Sequence, residues 1–139
     1  MQLNTYLVFN GRCEEAFKFY EKCLGGKIAA MFTHAGTPAA GQVPPEWLNK
    51  IMHVRLEAGE SILMGSDSPP DRYKPPQGFS VNIAVEKPEE AERIFGALSE
   101  GGTVGMPLQQ TFWAARFGMV VDRFGIPWMV NCEGSVKYE

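Results

Sequence analysis

A three-residue run, Glu-Glu-Ala, occurs twice in this chain, at Glu14-Glu15-Ala16 and at Glu89-Glu90-Ala91. Each copy is followed by a pair of glycines, Gly25-Gly26 and then Gly101-Gly102. Two apolar runs around a glycine come next, Gly59 in the first case and Gly125 in the second. The offset is about 75 residues at the first feature and about 65 at the last. The chain therefore reads as a duplication with about ten extra residues in its first half. Such internal similarity constrains the fold strongly, because both copies must build the same supersecondary unit.

Hydrophobic spacing sets the elements of each copy. Residues 1–9 read as a strand, with Leu3, Tyr6, Val8 and Phe9 as its apolar positions. Residues 12–24 read as a helix, carrying Ala16, Phe17, Phe19, Tyr20 and Leu24 at helical spacing and Glu14 and Glu15 near its start. Residues 27–34 form a second strand. Residues 35–49 hold Gly36, Pro38, Gly41, Pro44 and Pro45, so they read as a loop and are the natural place for the extra residues. Residues 50–57 and 61–66 form a hairpin about Gly59. The connection 66–78 contains four prolines, which neither donate ladder hydrogen bonds nor continue a helix.

The order then recurs. Residues 79–86 alternate as a strand through Val81, Ile83 and Val85. Residues 88–100 form a helix with Pro88 in its first turn and Ala91, Ile94, Phe95 and Leu98 on one face. Strands at 103–109, 114–122 and 127–132 follow, with Arg123-Phe124-Gly125 as the last turn.

The expected class is α+β, built from two tandem β-α-β-β-β units. A unit of about 60 residues is marginal alone. The two are expected to share one domain over 1–139, with unit one at about 1–66, a linker at about 67–78 and unit two at about 79–133. The expectation is a curved eight-stranded mixed sheet, helices on its convex face and a concave cleft lined by alternate strand residues. Hydrophobic residues at 45% and charged residues at 21% suit a globular chain. With 13 Lys+Arg against 16 Asp+Glu and no basic cluster, nucleic acid is not expected as a partner. No apolar run approaches the roughly 20 residues of a membrane span, and MQLNTYLVF does not read as a signal peptide. Cys13, Cys23 and Cys132 are odd in number and lack a C-x-x-C pair, which argues against a disulfide framework or zinc ribbon. A cytoplasmic setting is expected.

Paired β-α-β-β-β units resemble the vicinal oxygen chelate superfamily, which includes glyoxalase I, fosfomycin and bleomycin resistance proteins and extradiol dioxygenases. Three stretches are similar to its PhnB-like branch: NGRCEEAFKFYEKCLGGKI, HVRLEAGESILMGSD and QQTFWAARFGMVVDRFGIPWMVN. The resemblance spans essentially the whole chain. Some members of the branch carry a demethylubiquinone methyltransferase label, for which this chain offers no S-adenosylmethionine site. The resemblance also implies four cleft-facing positions where metal-dependent relatives hold a divalent ion with His, Gln or Glu. They fall near Thr5, Arg55, Ser80 and Met129, with His53 near the second. One imidazole does not make a site that uses three or four protein ligands. No metal ligand and no cofactor are therefore expected.

Candidate residues follow from this frame. His53 shares strand parity with Arg55 and is a candidate general base, since an imidazole with its free pKa near 6.5 suits proton transfer at neutral pH. Arg55 is a candidate donor fork for an anionic or carbonyl group, or a partner of a neighbouring acid. Tyr6, Met64 and Met129 are candidate ligand-lining residues. Phe112 and Trp113 are expected on opposite faces of one strand, one packing and the other lining the cleft. His34 is expected to face solvent. Asp67 and Asp122 are expected to cap backbone amides in turns, and Cys13 and Cys23 to pack.

The expected function is a PhnB-like small-molecule-binding protein or a metal-independent enzyme acting in the cleft. The alternatives are a metal-dependent glyoxalase or dioxygenase-type enzyme with displaced ligands, or a non-catalytic protein that sequesters a drug. The expected partners are a small-molecule ligand and a second copy of the chain in a homodimer, with no nucleic acid and no membrane.

Overall fold

The elements anticipated from the duplication are present in the computed structural model, which describes residues 1–134. The end of the expected domain, 135–139, lies outside the described residues. The chain divides into two compact units, with the boundary between Pro75 and Pro76, inside the Pro-rich connection.

The first unit runs β1 (Thr5–Phe9), α1 (Cys13–Leu24), β2 (Lys27–Thr33), β3 (Ile51–Ala58) and β4 (Ser61–Asp67). The second runs β5 (Val81–Val85), α2 (Pro88–Ser99), β6 (Thr103–Gln109), β7 (Arg116–Val121) and β8 (Pro127–Cys132). The strands pair as two four-stranded mixed sheets, in the orders β1-β4-β3-β2 and β5-β8-β7-β6. In each sheet the first strand of the unit lies parallel to the last, and the other pairings are antiparallel.

The extra residues fall where the duplication requires them. Two short 3₁₀ turns, Pro38–Gln42 and Pro45–Trp47, sit between β2 and β3, whereas only residues 110–115 separate β6 from β7. The loop expected over 35–49 therefore contains local helical turns, because Pro45 presets the dihedral of a turn's first residue.

The glycine pairs have divided duties. Gly25 and Gly101 take left-handed φ values of 70° and 73° after α1 and α2, which other residues adopt only with strain. Gly26 and Gly102 lie against the backbone carbonyls of Glu57 and Val121, so close that any Cβ would collide. One glycine ends the helix and the next lets the chain pass its neighbouring strand.

Each helix buries one face against its sheet. Cys13, Ala16, Phe17, Tyr20 and Cys23 of α1 are buried, and the Phe17 ring sits over Gly65 of β4. Ala91, Ile94, Phe95 and Leu98 of α2 are buried, and Phe95 sits over Gly118 of β7. Burying each large side chain contributes about 1.5–3 kcal/mol by area. The strand residues that alternate with Gly65 and Gly118 point away from the helices, and this other face carries the candidate site residues.

Two buried carboxylates tie these layers. Asp67, at the end of β4, accepts backbone N–H bonds from Gly11 (2.9 Å), Cys13 (3.0 Å) and Ile51 (2.9 Å). It thereby caps the start of α1, where no local side chain does so. Asp122 accepts from the Phe124 and Ile126 amides and from the Trp128 indole at 2.8–3.0 Å, closing the last turn. Asp122 caps its own turn as the sequence suggests, whereas Asp67 ends a strand and accepts amides from distant segments instead.

Candidate functional site

In the first unit, Tyr6 lies beside Met64 across the parallel pair, and Met64 lies beside Arg55 across the antiparallel pair. These side chains share the face opposite α1. The Tyr6 hydroxyl and His53 Nδ1 are 3.3 Å apart, and the two rings stack at 5.8 Å with planes 27° apart. The Tyr6 side of this pair is 44% exposed, so the pair stands open to a ligand. Arg55 Nε donates to Glu57 at 2.9 Å. Four of the sequence-predicted residues, Tyr6, His53, Arg55 and Met64, are thus brought onto one patch.

Further along the same face lies a pocket of about 290 Å³, entirely within the first unit. Val8 and Ser66, the register neighbours that follow Tyr6 and Met64, form one wall. His34 and Met52 form another, and Ser68, Pro69 and Arg72 come from the Pro-rich connection. Here the expectation for His34 is corrected. It is buried at 6% exposure, because residues 34 and 35 extend the β2–β3 pairing through bonds to the Lys50 and Leu48 carbonyls. Its Nδ1–H donates to the Lys50 carbonyl at 2.9 Å, which leaves Nε2 as the ring nitrogen not engaged in that bond. Sequence reasoning missed this pocket. Its available signal was a serine, aspartate and arginine set, Ser66 to Arg72, placed within prolines.

In the second unit, Met129 pairs with Met119 of β7 and with Asn82 of β5, and Phe117 pairs with Asn131. These residues face away from α2. Trp113 meets Phe117 edge-on at 5.3 Å, and Phe112 meets Trp113 at 4.8 Å. The expected division of Phe112 and Trp113 between two faces does not occur. Phe112 is 85% exposed and packs in no core. The reason is local: β7 starts at Arg116 rather than at 114, so strand alternation does not apply. Thr111 Oγ1 accepts from the Trp113 and Ala114 amides at 3.3 and 3.1 Å, and the Thr111 N–H donates to the Ala114 carbonyl at 2.9 Å, folding the segment into a turn. Both aromatics project from that turn. Asn131 Oδ1 is buried and has no hydrogen-bond partner among the described residues.

The three cysteines are buried and form no disulfide with one another. Burial pushes the Cys13 thiol well above its ordinary value, and the carboxylates of Asp67 and then Glu14 push the same way. A thiolate nucleophile is not available there.

The implied metal positions do not fit a divalent ion. Thr5 lies on the helix-facing parity of β1, while Arg55 and Met129 offer a guanidinium and a thioether. Ser80, just before β5, offers only a hydroxyl. Among the described residues, no group of three His, Cys, Asp or Glu side chains is placed to hold a metal. No helix among them is long and apolar enough to cross a membrane.

Comparison with known proteins places this geometry in context. A family model for the Glyoxalase/Bleomycin resistance protein/Dioxygenase superfamily matches residues 2–130. Protein YjdN of Escherichia coli is 32% identical over 139 residues, spanning 94% of this chain and 95% of that protein. The crystal structure of protein PA1353 from Pseudomonas aeruginosa superposes with a TM-score of 0.88 at 49% identity, covering 97% of this chain and 99% of that one. A structure from Bacillus cereus, described as a putative 3-demethylubiquinone-9 3-methyltransferase, PhnB protein, has a TM-score of 0.79 at 22% identity and covers 95% and 99% of the two chains. At that identity the likeness is one of fold.

Proposed function

From the premise that this chain belongs to the glyoxalase/bleomycin resistance protein/dioxygenase superfamily, we propose that it binds a small, partly apolar molecule on the open sheet face of its first unit and acts on it without a metal ion. A shared scaffold hosts many chemistries, so the site must carry the argument.

The observation that carries it is the Tyr6–His53 pair. A phenol and an imidazole within hydrogen-bond reach, open on a sheet face, form a group that can hold or move a proton at a bound oxygen. Met64 beside them supplies adaptable apolar surface. The outer nitrogens of Arg55 supply donors for a carbonyl or anionic oxygen. The second unit carries its own aromatic and thioether surface in Trp113, Phe112 and Met129, which suits an apolar ligand there. A non-catalytic protein that sequesters its ligand would use the same groups, and turnover of a bound molecule separates the two. We also propose a homodimer in the cytoplasm, where thiols such as those of Cys13 and Cys132 stay reduced.

Acetophenone, an aromatic body with one carbonyl oxygen, is a suitable probe. The expected result is NMR shift changes at Tyr6, His53 and Met64, with affinity reduced roughly 2- to 10-fold in His53→Ala or Tyr6→Phe, the range for one lost hydrogen bond. Unchanged resonances at all three residues at millimolar probe would overturn the assignment. Elemental analysis of protein purified without chelator tests the metal-free reading, and a stoichiometric divalent metal would sink it.

A further inference from the structure

We infer that the pocket of the first unit takes the oxyanion of a small organic acid; this deepens the reading above, because the pocket continues the Tyr6–Met64 face by one register step. The ligand's apolar part would lie toward Tyr6 and Met64, and its acidic end would enter between β1, β4 and the Pro-rich connection.

The balance of donors and acceptors points to an oxyanion. The Ser66 and Ser68 hydroxyls have no protein hydrogen-bond partner among the described residues. Arg72 stands at the exposed rim, where one guanidinium nitrogen reaches the Gln42 carbonyl at 3.3 Å and the other donors remain for a ligand. Asp67 contributes little free acceptor capacity, since three backbone amides already occupy its oxygens. Those amides also offset its charge. His34 and the Gln42 side chain also line the pocket and suit a hydroxyl on the ligand. Val8, Met52 and Pro69 supply apolar walls. Surplus donors around an apolar slot, with one guanidinium, match a carboxylate or phosphate group. At about 290 Å³ the pocket is at the small end of ligand sites, which run from roughly 300 to 1,000 Å³.

The test uses butyrate, its neutral isostere butyramide, and inorganic phosphate, each titrated into the full chain at low salt and followed by backbone amide shifts. Butyrate is expected to perturb His34, Ser66 and Ser68 and to bind roughly 10-fold more tightly than butyramide, as a charge-assisted hydrogen bond implies. Arg72→Gln, an exposed substitution, is expected to abolish that preference, and Ser66→Ala to weaken binding by a few-fold. Tighter binding of phosphate at the same residues would point to a phosphate ester, and weaker binding to a carboxylate. Equal affinities for butyrate and butyramide, or an unchanged preference in Arg72→Gln, would overturn the assignment. If acetophenone still perturbs Tyr6 and His53, that result removes the oxyanion pocket alone. If neither probe touches this face, both readings fall.

Discussion

At the scale of single residues, the duplication explains more than helix ends. The two glycine pairs were visible as stops, and the stop residues are Gly25 and Gly101 with their left-handed backbones. The partners Gly26 and Gly102 are required by carbonyls of strands far along the chain, which composition does not reveal. The capping role of Asp122 is legible because a short acid beside a turn accepts its backbone amides, whereas the amides Asp67 accepts come from Gly11, Cys13 and Ile51, far from it in sequence. Asn131 was not legible, because its lack of a partner depends on everything packed around it. An unsatisfied buried acceptor costs about 1–3 kcal/mol. Asn131→Leu, nearly the same size, is therefore expected to raise stability by about 1 kcal/mol in urea unfolding. A loss of stability would mean that Asn131 is satisfied in solution. Ser66, at the corresponding place in the first unit's sheet, shows that a smaller residue also fits, so Asn131→Ser provides a control.

At the scale of elements, periodicity located the strands and helices to within a few residues, and its failure before β7 has a local cause. Residues 1–4 and 114–115 read as strand on apolar content, yet the strands begin at Thr5 and Arg116. Apolar content does not make a strand where side-chain hydrogen bonds fold the backbone another way. Thr111 does so before β7, and its hydroxyl places Phe112 and Trp113 together. Thr111→Val keeps the shape and removes the acceptor. It is expected to cost about 1–2 kcal/mol and to change Trp113 fluorescence as the edge contact with Phe117 loosens. An unaltered spectrum with unaltered stability would show that the turn holds without the hydroxyl. His34 reads as the end of a strand beside a loop, but the β2–β3 pairing extends past Thr33 and carries the imidazole inward.

At the scale of the whole molecule, each sheet has two edge strands, β1 and β2 in the first and β5 and β6 in the second. Phe32 on β2 is 50% exposed and Val104 on β6 is 43% exposed. Open edges carrying apolar side chains favour pairing with a second copy. The expectation is a light-scattering mass of twice 15.4 kDa at micromolar concentration. A mass of one chain would refute the homodimer. The sequence alone determined the duplication, the order of elements in each unit, the family and the place of the insertion. Each is encoded locally, in spacing and in turn residues, and survives without knowledge of what lies opposite. Strand parity put His53 and Arg55 on one face, but the family frame put Thr5 rather than Tyr6 toward the cleft, and in the structure Thr5 shares the parity of buried Leu7 and Phe9. Only the tertiary structure decided that Tyr6 and His53 touch, that His34 is buried, and that Ser66, Ser68 and Arg72 close a pocket with it. Those facts depend on register and on the path of two Pro-rich connections. They are long-range pairings between residues whose own neighbours in sequence say nothing of them.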